Sequence, residues 1–292
     1  MSTSQVYLKE LAQEKPTADD DPPPRRRLDL WMLAGIAIAV IATVAGIAAS
    51  GVNVAYFFQP TGVLIVLGGT LGVMIITTPR AALGHSVRRV AELFSSVSVN
   101  REDLIEEIVS YTRLVRTKGL YALEPLVARS SNPFLAESLL LAMDVRERGE
   151  LQTALESKLR LKERQGEADA KILEVAGGFA PTIGVLGTVV GLIHVLRQFS
   201  TPSAVAYGVG TAFVSTIYGL ALANMVLLPA AHRIRARVAE EFETQELIME
   251  GVLCLFDKIH PSLVRQRLRC FLRQWPVEDN TALNSASTAA AR

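Results

Sequence analysis

The sequence contains few of the residues and motifs that mark soluble enzymes and secreted domains. Only two of its 292 residues are cysteines, Cys254 and Cys270, and no histidine–cysteine cluster accompanies them, which argues against a disulfide framework or a zinc site and favours a helix-packing role. The formal net charge is +1, without the basic excess of nucleic-acid-binding proteins. Hydrolase, kinase and Walker-type motifs are missing. We therefore expect no enzyme, no cofactor or metal, and no nucleic-acid partner.

Charged residues are also missing from four long windows of the chain. The windows are residues 31–50, 60–78, 175–196 and 204–231, and none contains an aspartate, glutamate, lysine or arginine. Each has the length that a helix needs to cross about 30 Å of hydrocarbon. Helices in the cores of soluble proteins rarely run so far without a charge. The sequence therefore predicts an all-α membrane protein with four transmembrane helices.

Most basic residues that flank these windows lie on one side of the membrane, with Arg197 at the outer end of the third window as an exception. They precede the first and third windows and follow the second and fourth: Arg25, Arg26, Arg27, Arg80, Arg88, Arg89, Lys162, Arg164, Lys171, Arg233, Arg235 and Arg237. The two opposite connections, residues 51–59 and 200–203, contain no lysine or arginine. Since cytoplasmic loops carry the excess of basic residues, we expect both termini and residues 80–171 in the cytoplasm.

The windows lack the buried carboxylate that proton and sodium pathways usually need. Asp29 and Glu174 lie just outside the first and third windows. If the chain helps to conduct ions, another chain has to supply the carboxylate. Its own polar groups include the hydroxyls of Thr188, Ser215 and Thr216, which lie at similar depth if the third and fourth helices are antiparallel. They either line an ion pathway or only bond to their own helix backbones, as such residues often do.

The third window is unlike a simple lipid anchor because it holds five glycines and a proline. Gly184, Gly187 and Gly191 recur at spacings of three and four, which favours close packing of helix backbones. They superficially resemble a phosphate-binding loop but lack its Lys-Ser/Thr ending. Pro181 in this window and Pro229 in the fourth each remove a backbone hydrogen bond near the cytoplasmic end of a helix. They are either incidental kinks or hinges.

The rest of the sequence is polar and mostly helical in pattern. Asn100 predicts a helix start, and further short helices are expected after Gly119 and Pro133. We expect the third and fourth membrane helices to extend unbroken into the cytoplasm, and Pro261 to begin a last short helix. The predicted organisation is a disordered cytoplasmic tail (1–27), a transmembrane hairpin (28–79), a cytoplasmic helical domain (80–171), transmembrane spans three and four (172–231), cytoplasmic C-terminal helices (232–275) and a disordered tail (276–292).

Three segments of the sequence resemble the MotA/PomA subunits of bacterial flagellar stators, within the MotA/TolQ/ExbB proton channel superfamily. They are residues 59–70, 177–192 and 210–234, and the resemblance covers roughly residues 28–275. It implies a homopentamer in the bacterial inner membrane, built around a MotB-like single-span partner that supplies the ion-binding aspartate. Flow of H⁺ or Na⁺ would then drive torque on the rotor protein FliG.

The resemblance also implies roles for residues of the membrane helices. Thr188, Ser215 and Thr216 match the pore-lining hydroxyl positions of the family, and Pro181 and Pro229 match its two functional prolines. At position 215, sodium-type members tend to carry threonine and proton-type members a small residue. The serine fits neither type cleanly, so the ion stays open, with protons favoured.

Two charged residues match the rotor-contacting positions of the family. They are Arg116 and Glu124. The family often has a second basic residue directly after the first, whereas this chain has Thr117 there and Lys118 one place later. This difference leaves the detail of the rotor contact open.

Two other interpretations remain. The chain is alternatively an ExbB/TolQ-type subunit of an ion-driven motor that serves outer-membrane energisation, gliding or defence. Such relatives usually have three spans and an external amino terminus, whereas this chain has an arginine cluster at 25–27 before a predicted hairpin. The other interpretation, a passive membrane scaffold, predicts no loss of motility or ion flux when Pro181 or Thr216 is changed.

Overall fold

The computed structural model describes residues 27–28, 30–51, 57–93, 95–96, 100–127, 130, 132–197 and 202–272. The two tails that the sequence predicts to be disordered lie outside these residues, except for Arg27. The chain divides into two compact units. The first unit comprises Met1–Ser98 and Glu167–Arg235, and the second comprises Val99–Gly166 and Ala236–Arg292.

Both units are almost entirely helical. The first contains β1 (Arg27–Leu28), α1 (Leu30–Ala49), α2 (Pro60–Thr77), α3 (Arg80–Leu93), β2 (Ser95–Ser96), the second part of α7 (Arg148–Arg197), α8 (Pro202–Ala221), a π-helical segment (Leu222–Leu227) and the start of α9 (Leu228–Phe256). The second contains α4 (Arg101–Lys118), a 3₁₀ turn (Leu120–Leu123), α5 (Glu124–Val127), α6 (Pro133–Asp144), the remaining parts of α7 and α9, α10 (Pro261–Arg269) and a final 3₁₀ turn (Cys270–Leu272).

The predicted helix starts of the second unit are confirmed. The side chain of Asn100 accepts a hydrogen bond from Glu102 N at 3.1 Å and so caps α4. Pro133 and Pro261 each stand at the first position of a helix, where a missing N–H costs nothing. Gly119 ends α4 with a φ of +83°, which glycine adopts without steric strain.

Two long helices run without a break, as predicted. The first is α7, which spans 50 residues with Pro181 inside it. The second consists of α8, the π-helical segment and α9, and continues to Phe256. The π-helical turn was not predicted. It ends two residues before Pro229, which lacks an N–H for the carbonyl four residues back. The wider turn therefore lies where the helical hydrogen-bond pattern is already interrupted.

Three helical stretches are long and apolar enough to cross a membrane by length and composition. They are Pro60–Thr77, part of Arg148–Arg197 and part of Val205–Phe256. The apolar stretch Ala34–Ala49 in α1 is shorter. The first of the four predicted spans therefore stays a prediction.

A hydrophobic core stabilises the second unit. The inward face of α4 contributes to it: Leu104, Ile108, Tyr111 and Val115 are buried, and Leu114 is half-buried against them. Leucines of the neighbouring helices fill the rest of this core: Leu135, Leu139, Leu151, Leu155, Leu247 and Leu268. Each buried leucine contributes about 1.5–3 kcal/mol relative to an exposed one.

One of the two cysteines is buried and the other is exposed to solvent. Cys254 lies in this core, and burial raises the pKa of its thiol to about 11. The prediction that it is a packing residue is confirmed. Cys270 is exposed in the last 3₁₀ turn, so the same prediction is wrong for it.

A two-residue antiparallel strand pair departs from the predicted all-α fold. Arg27 pairs with Ser96 and Leu28 with Ser95. Two residues are too few for an alternating pattern, so the sequence carries no signal for this pairing.

Candidate ion pathway

Two hydroxyls of the membrane helices meet between α7 and α8. Thr188 Oγ1 and Thr216 Oγ1 are 2.5 Å apart, and either can be the donor. Thr188 Oγ1 also lies 3.1 Å from the carbonyl oxygen of Ala212 and 3.3 Å from that of Gly184. Both threonines are half-buried, so the pair keeps some accessible polar surface. The structure therefore brings together two of the three predicted ion-pathway residues.

Glycines allow the backbones of α7 and α8 to approach closely around this pair. A Cβ added at Gly184 would lie 3.0 Å from Ser215 O, and one at Gly191 would lie 2.8 Å from Gly208 O. From the other side, a Cβ at Gly219 would lie 2.6 Å from Ala180 O. Real Cβ atoms do not come as close to backbone atoms as those at Gly191 and Gly219 would, so these two positions admit little beyond glycine without moving a helix, and the contact at Gly184 is tighter than most.

The Ser215 hydroxyl is hydrogen-bonded to its own helix rather than to the threonine pair. Ser215 is fully buried, and its Oγ donates to Thr211 O at 2.8 Å. Glycines enclose it on two sides: a Cβ at Gly62 would lie 2.8 Å from Ser215 Oγ, and one at Gly187 would lie 2.6 Å from Ser215 Cβ. The structure does not group Ser215 with Thr188 and Thr216, and its role in the pathway stays a prediction.

A polar cluster that the sequence did not reveal joins the start of α2 to α8. Gln59 is buried, and its Oε1 accepts a hydrogen bond from Thr211 Oγ1. Tyr218 Oη donates to Phe57 O and accepts from Gln59 N at 3.4 Å. Gly210 leaves room for the amide, because a Cβ there would lie 3.1 Å from Gln59 Nε2. Isolated polar residues in or beside apolar windows were the available signal, but their partners are about 150 residues away in sequence.

One buried hydroxyl has no partner. Among the described residues, Thr70 Oγ1 in α2 is the one buried side-chain oxygen or nitrogen atom that makes no hydrogen bond. An unmade hydrogen bond inside a membrane unit costs free energy.

The two predicted hinge prolines differ in their surroundings. Pro181 is half-buried inside α7, next to Ala180, whose carbonyl faces Gly219 of α8. Pro229 is exposed and follows the π-helical segment. The hinge role of both stays a prediction.

Ion pairs connect α7 to neighbouring helices just before the apolar window that begins at residue 175. Glu174 Oε1 lies 2.6 Å from Arg235 Nη1 of α9, and its other oxygen lies 3.4 Å from Lys171 Nζ. The hydrogen bond from the Arg235 guanidinium lowers the pKa of the Glu174 carboxyl, and Glu174 raises the pKa of Arg235 in return. Arg235 and Glu174 therefore both stay charged at neutral pH.

A second carboxylate in this region is nearly buried. Asp169 of α7 accepts a hydrogen bond from Ser86 Oγ of α3 at 3.2 Å and lies 3.9 Å from Arg89 Nε. In the described chain, no three histidine, cysteine, aspartate or glutamate side chains come together as a metal site needs.

The predicted rotor-contacting residues belong to the second unit. Arg116 lies in the last turn of α4, and Glu124 begins α5. Both side chains are exposed, and the Gly119 turn stands between them.

Comparison with known families agrees with these features. Residues 127–246 match the MotA/TolQ/ExbB proton channel family, and residues 33–119 match the family described as Motility protein A N-terminal. The chain belongs to the MotA/TolQ/ExbB proton channel family. Its members are ion-channel subunits rather than known enzymes.

Two curated relatives of this MotA/TolQ/ExbB chain are named as a motility protein and a chemotaxis protein. It is 28% identical over 250 residues to Motility protein A of Bacillus subtilis (strain 168), covering 84% of this chain and 91% of that one. It is 27% identical over 245 residues to Chemotaxis protein PomA of Vibrio alginolyticus, covering 84% of this chain and 94% of that one.

Solved structures share the fold of this MotA/TolQ/ExbB chain. The flagellar MotAB stator complex from Bacillus subtilis matches with a TM-score of 0.75 and 27% identity, over 86% of this chain and 98% of that chain. C. jejuni MotAB matches with a TM-score of 0.79 and 24% identity, over 85% of this chain and 97% of that chain. The nearly all-helical architecture is therefore that of these proteins.

Proposed function

We propose that the chain is the ion-conducting stator subunit of a bacterial flagellar motor. The observation that carries this is the joint match to the proton channel family and to the motility protein N-terminal family, over almost the full length of MotA and PomA relatives. The ExbB/TolQ-type alternative is less favoured, because residues 33–119 match the family described as Motility protein A N-terminal.

A MotB-like single-span partner completes the ion pathway in this proposal. Two observations support it: the four apolar windows contain no carboxylate, and the related solved structures are MotAB complexes. The partner contributes the ion-binding aspartate beside the Thr188–Thr216 surface. The hydroxyls can contact the ion or its water without carrying a charge themselves.

Torque arises when the ion neutralises that aspartate. A bare carboxylate in a membrane is costly, so neutralisation changes the energy of the site by several kcal/mol. The helices around it must prefer different positions for the charged and neutral states, since an equal preference would shift nothing. The electrical driving force is about 2.3 kcal/mol per charge per 100 mV, which suffices to bias two such states.

The assembly is a homopentamer in the inner membrane with four spans per subunit, both termini in the cytoplasm, and FliG as the load. Exposed apolar side chains on α7 and α8 support contacts with lipid, with other copies or with the partner: Val185, Leu186, Val189, Ile193, Phe213 and Ile217. Pro181 and Pro229 transmit movement of these helices to the cytoplasmic parts. The transported ion is H⁺, since the tight glycine enclosure of Ser215 disfavours the larger threonine of sodium-type relatives.

Substitution of the threonine pair tests the pathway. Thr216→Val keeps the side-chain shape but removes the hydroxyl that meets Thr188. We expect at least a tenfold loss of ion flux and rotation when it is produced with the partner subunit, since one good hydrogen bond is worth about 1.4 kcal/mol or more in such a site.

Thr77→Val is the matched control. Thr77 Oγ1 bonds only to its own helix, at 2.8 Å from Val73 O, and is exposed on α2. Flux and rotation should stay near the unsubstituted level. Normal flux in Thr216→Val would contradict the pathway, and normal motility of cells without the chain would contradict the stator function.

A further inference from the structure

The turn between α4 and α5 is held rigid by its own backbone. Gly119 N donates to Val115 O at 2.8 Å, and Ala122 N donates to Gly119 O at 3.3 Å. Glu124 N then donates to Tyr121 O. These bonds set the positions of the side chains along the turn before any partner binds, which lowers the entropic cost of binding.

Tyr121 projects from this turn into solvent. Its side chain is 72% exposed, yet its Oη donates to Met143 O at 3.2 Å, which holds the ring against the end of α6. Leu140 lies three residues before Met143, on the same face of α6, and is 49% exposed. Elsewhere in the described second unit, large apolar side chains are mostly buried, with Leu161 and Leu263 as the other exposed ones.

Charges of both signs surround this apolar spot. Arg116 and Lys118 lie in the last turn of α4, and Glu124 follows three residues after Tyr121. All three charged side chains are exposed, and none has an ion-pair partner among the described residues. An apolar centre with a charged rim is the usual anatomy of a protein interface, and tyrosine is enriched among the residues that dominate binding.

We propose that Tyr121, with Leu140 beside it, is the apolar anchor of the rotor-docking surface. This rests on the proposed stator function. The occupant is a surface of the rotor protein that presents an apolar side chain to the Tyr121 ring, with an acidic residue opposite Arg116 and a basic residue opposite Glu124. The charges orient the rotor protein and speed its arrival, whereas burial of the ring supplies most of the affinity. A lipid surface fits less well, because it would favour basic residues alone.

Recruitment of a fluorescently tagged chain to motors tests the anchor, in cells that lack their own copy but keep the partner subunit. Tyr121→Ser should lower the number of copies per motor at least about tenfold at limiting expression. Tyr121→Phe keeps the ring and should stay within about twofold of the unsubstituted chain, and Leu140→Ser should give an intermediate loss. Leu263→Ser, at a similarly exposed apolar position of the same unit, is the matched control and should leave recruitment unchanged.

Two comparisons separate the possible failures. Normal recruitment of Tyr121→Ser together with loss for Arg116→Glu would overturn the anchor and leave the stator function standing. Normal recruitment of both variants would instead overturn the rotor contact within the proposed function. Loss of the purified complex in Tyr121→Ser, measured by its size in detergent, would place Tyr121 between subunits and also overturn the anchor.

Discussion

The two units of the molecule distribute apolar and polar side chains in opposite ways. In the first, Leu64, Ile76 and Phe213 are more than half exposed, and helices meet through glycines and hydroxyls. In the second, leucines and isoleucines fill a core, and charged residues pair on the surface, as Arg265 does with Glu106 at 2.5 Å. The difference shows one helical chain adapted to two solvents, hydrocarbon around the first unit and water around the second.

This contrast implies different sources of stability. In water, removal of apolar surface from solvent is the main favourable term. In a membrane, lipid tails are as apolar as leucine, so helix association depends on close backbone contact and on hydrogen bonds between helices. Substitutions matched within each unit therefore test whether the two units are stabilised by different interactions.

The largest expected effect is a cavity in the second unit. Leu155 is fully buried in α7, so Leu155→Ala should lower the free energy of unfolding by about 2–5 kcal/mol. Leu161→Ala in the same helix removes a side chain that is already 58% exposed and should change it by less than about 0.5 kcal/mol. Thermal unfolding in detergent measures both. Equal losses would show that the second unit is not stabilised by a water-excluding core.

The next effect is a clash in the first unit. Gly191→Ala forces a Cβ to within 2.8 Å of backbone atoms of α8, which we expect to cost about 1–3 kcal/mol. Gly178→Ala in the same helix meets open space and should gain up to about 1 kcal/mol from helix propensity. The two melting temperatures should move in opposite directions. If both melting temperatures moved in the same direction, close backbone contact would not be what holds the helices of this unit together.

A smaller effect is expected at the unpartnered hydroxyl. Thr70→Val replaces a buried oxygen without a hydrogen bond by a methyl group of similar size. The melting temperature in detergent should stay level or rise, by an amount that corresponds to at most about 1 kcal/mol. A clear decrease would mean that the hydroxyl has a partner in the assembled complex.

The smallest effect is a pH dependence of the ion pair below the apolar window. The pKa of Glu174 is lower in the folded protein than its ordinary 4.5, so its contribution is complete above that value and is lost as the pH falls through the folded-state pKa. The melting temperatures of the unsubstituted chain and Glu174→Gln should therefore differ slightly at pH 7 and converge as the pH falls below 4.5 and through the folded-state pKa. A difference that persists in acid would exclude the charge as its cause. The exposed pairing with Arg235 keeps the effect small.

The sequence predicted most helices because their signals are local. A window without charges, the Asn100 cap and the prolines at helix starts each act within a few residues. The rotation of α8 about its axis is different, because it depends on what packs against it. Thr216 bonds to Thr188 of α7, while the adjacent Ser215 packs against glycines of both α2 and α7, and no spacing in the sequence distinguishes the two hydroxyls.

Polar contacts between residues far apart in the chain could not be predicted from the sequence for a related reason. Gln59 and Tyr218 are recognisable as polar residues near apolar windows, but their pairing requires knowledge of which helices are neighbours. The π-helical turn before Pro229 was missed because a proline predicts a disturbance of the helix and not its form.

The short strand pair constrains the number of times the chain passes through the bilayer. Arg27 and Leu28, just ahead of α1, are hydrogen-bonded to the residues that follow α3, so the path between them starts and ends on the same face of the membrane. A path that returns to its own side makes an even number of passages. If α2 makes one and the polar helix α3 makes none, α1 has to make the other, and this parity favours a transmembrane α1 independently of its hydropathy.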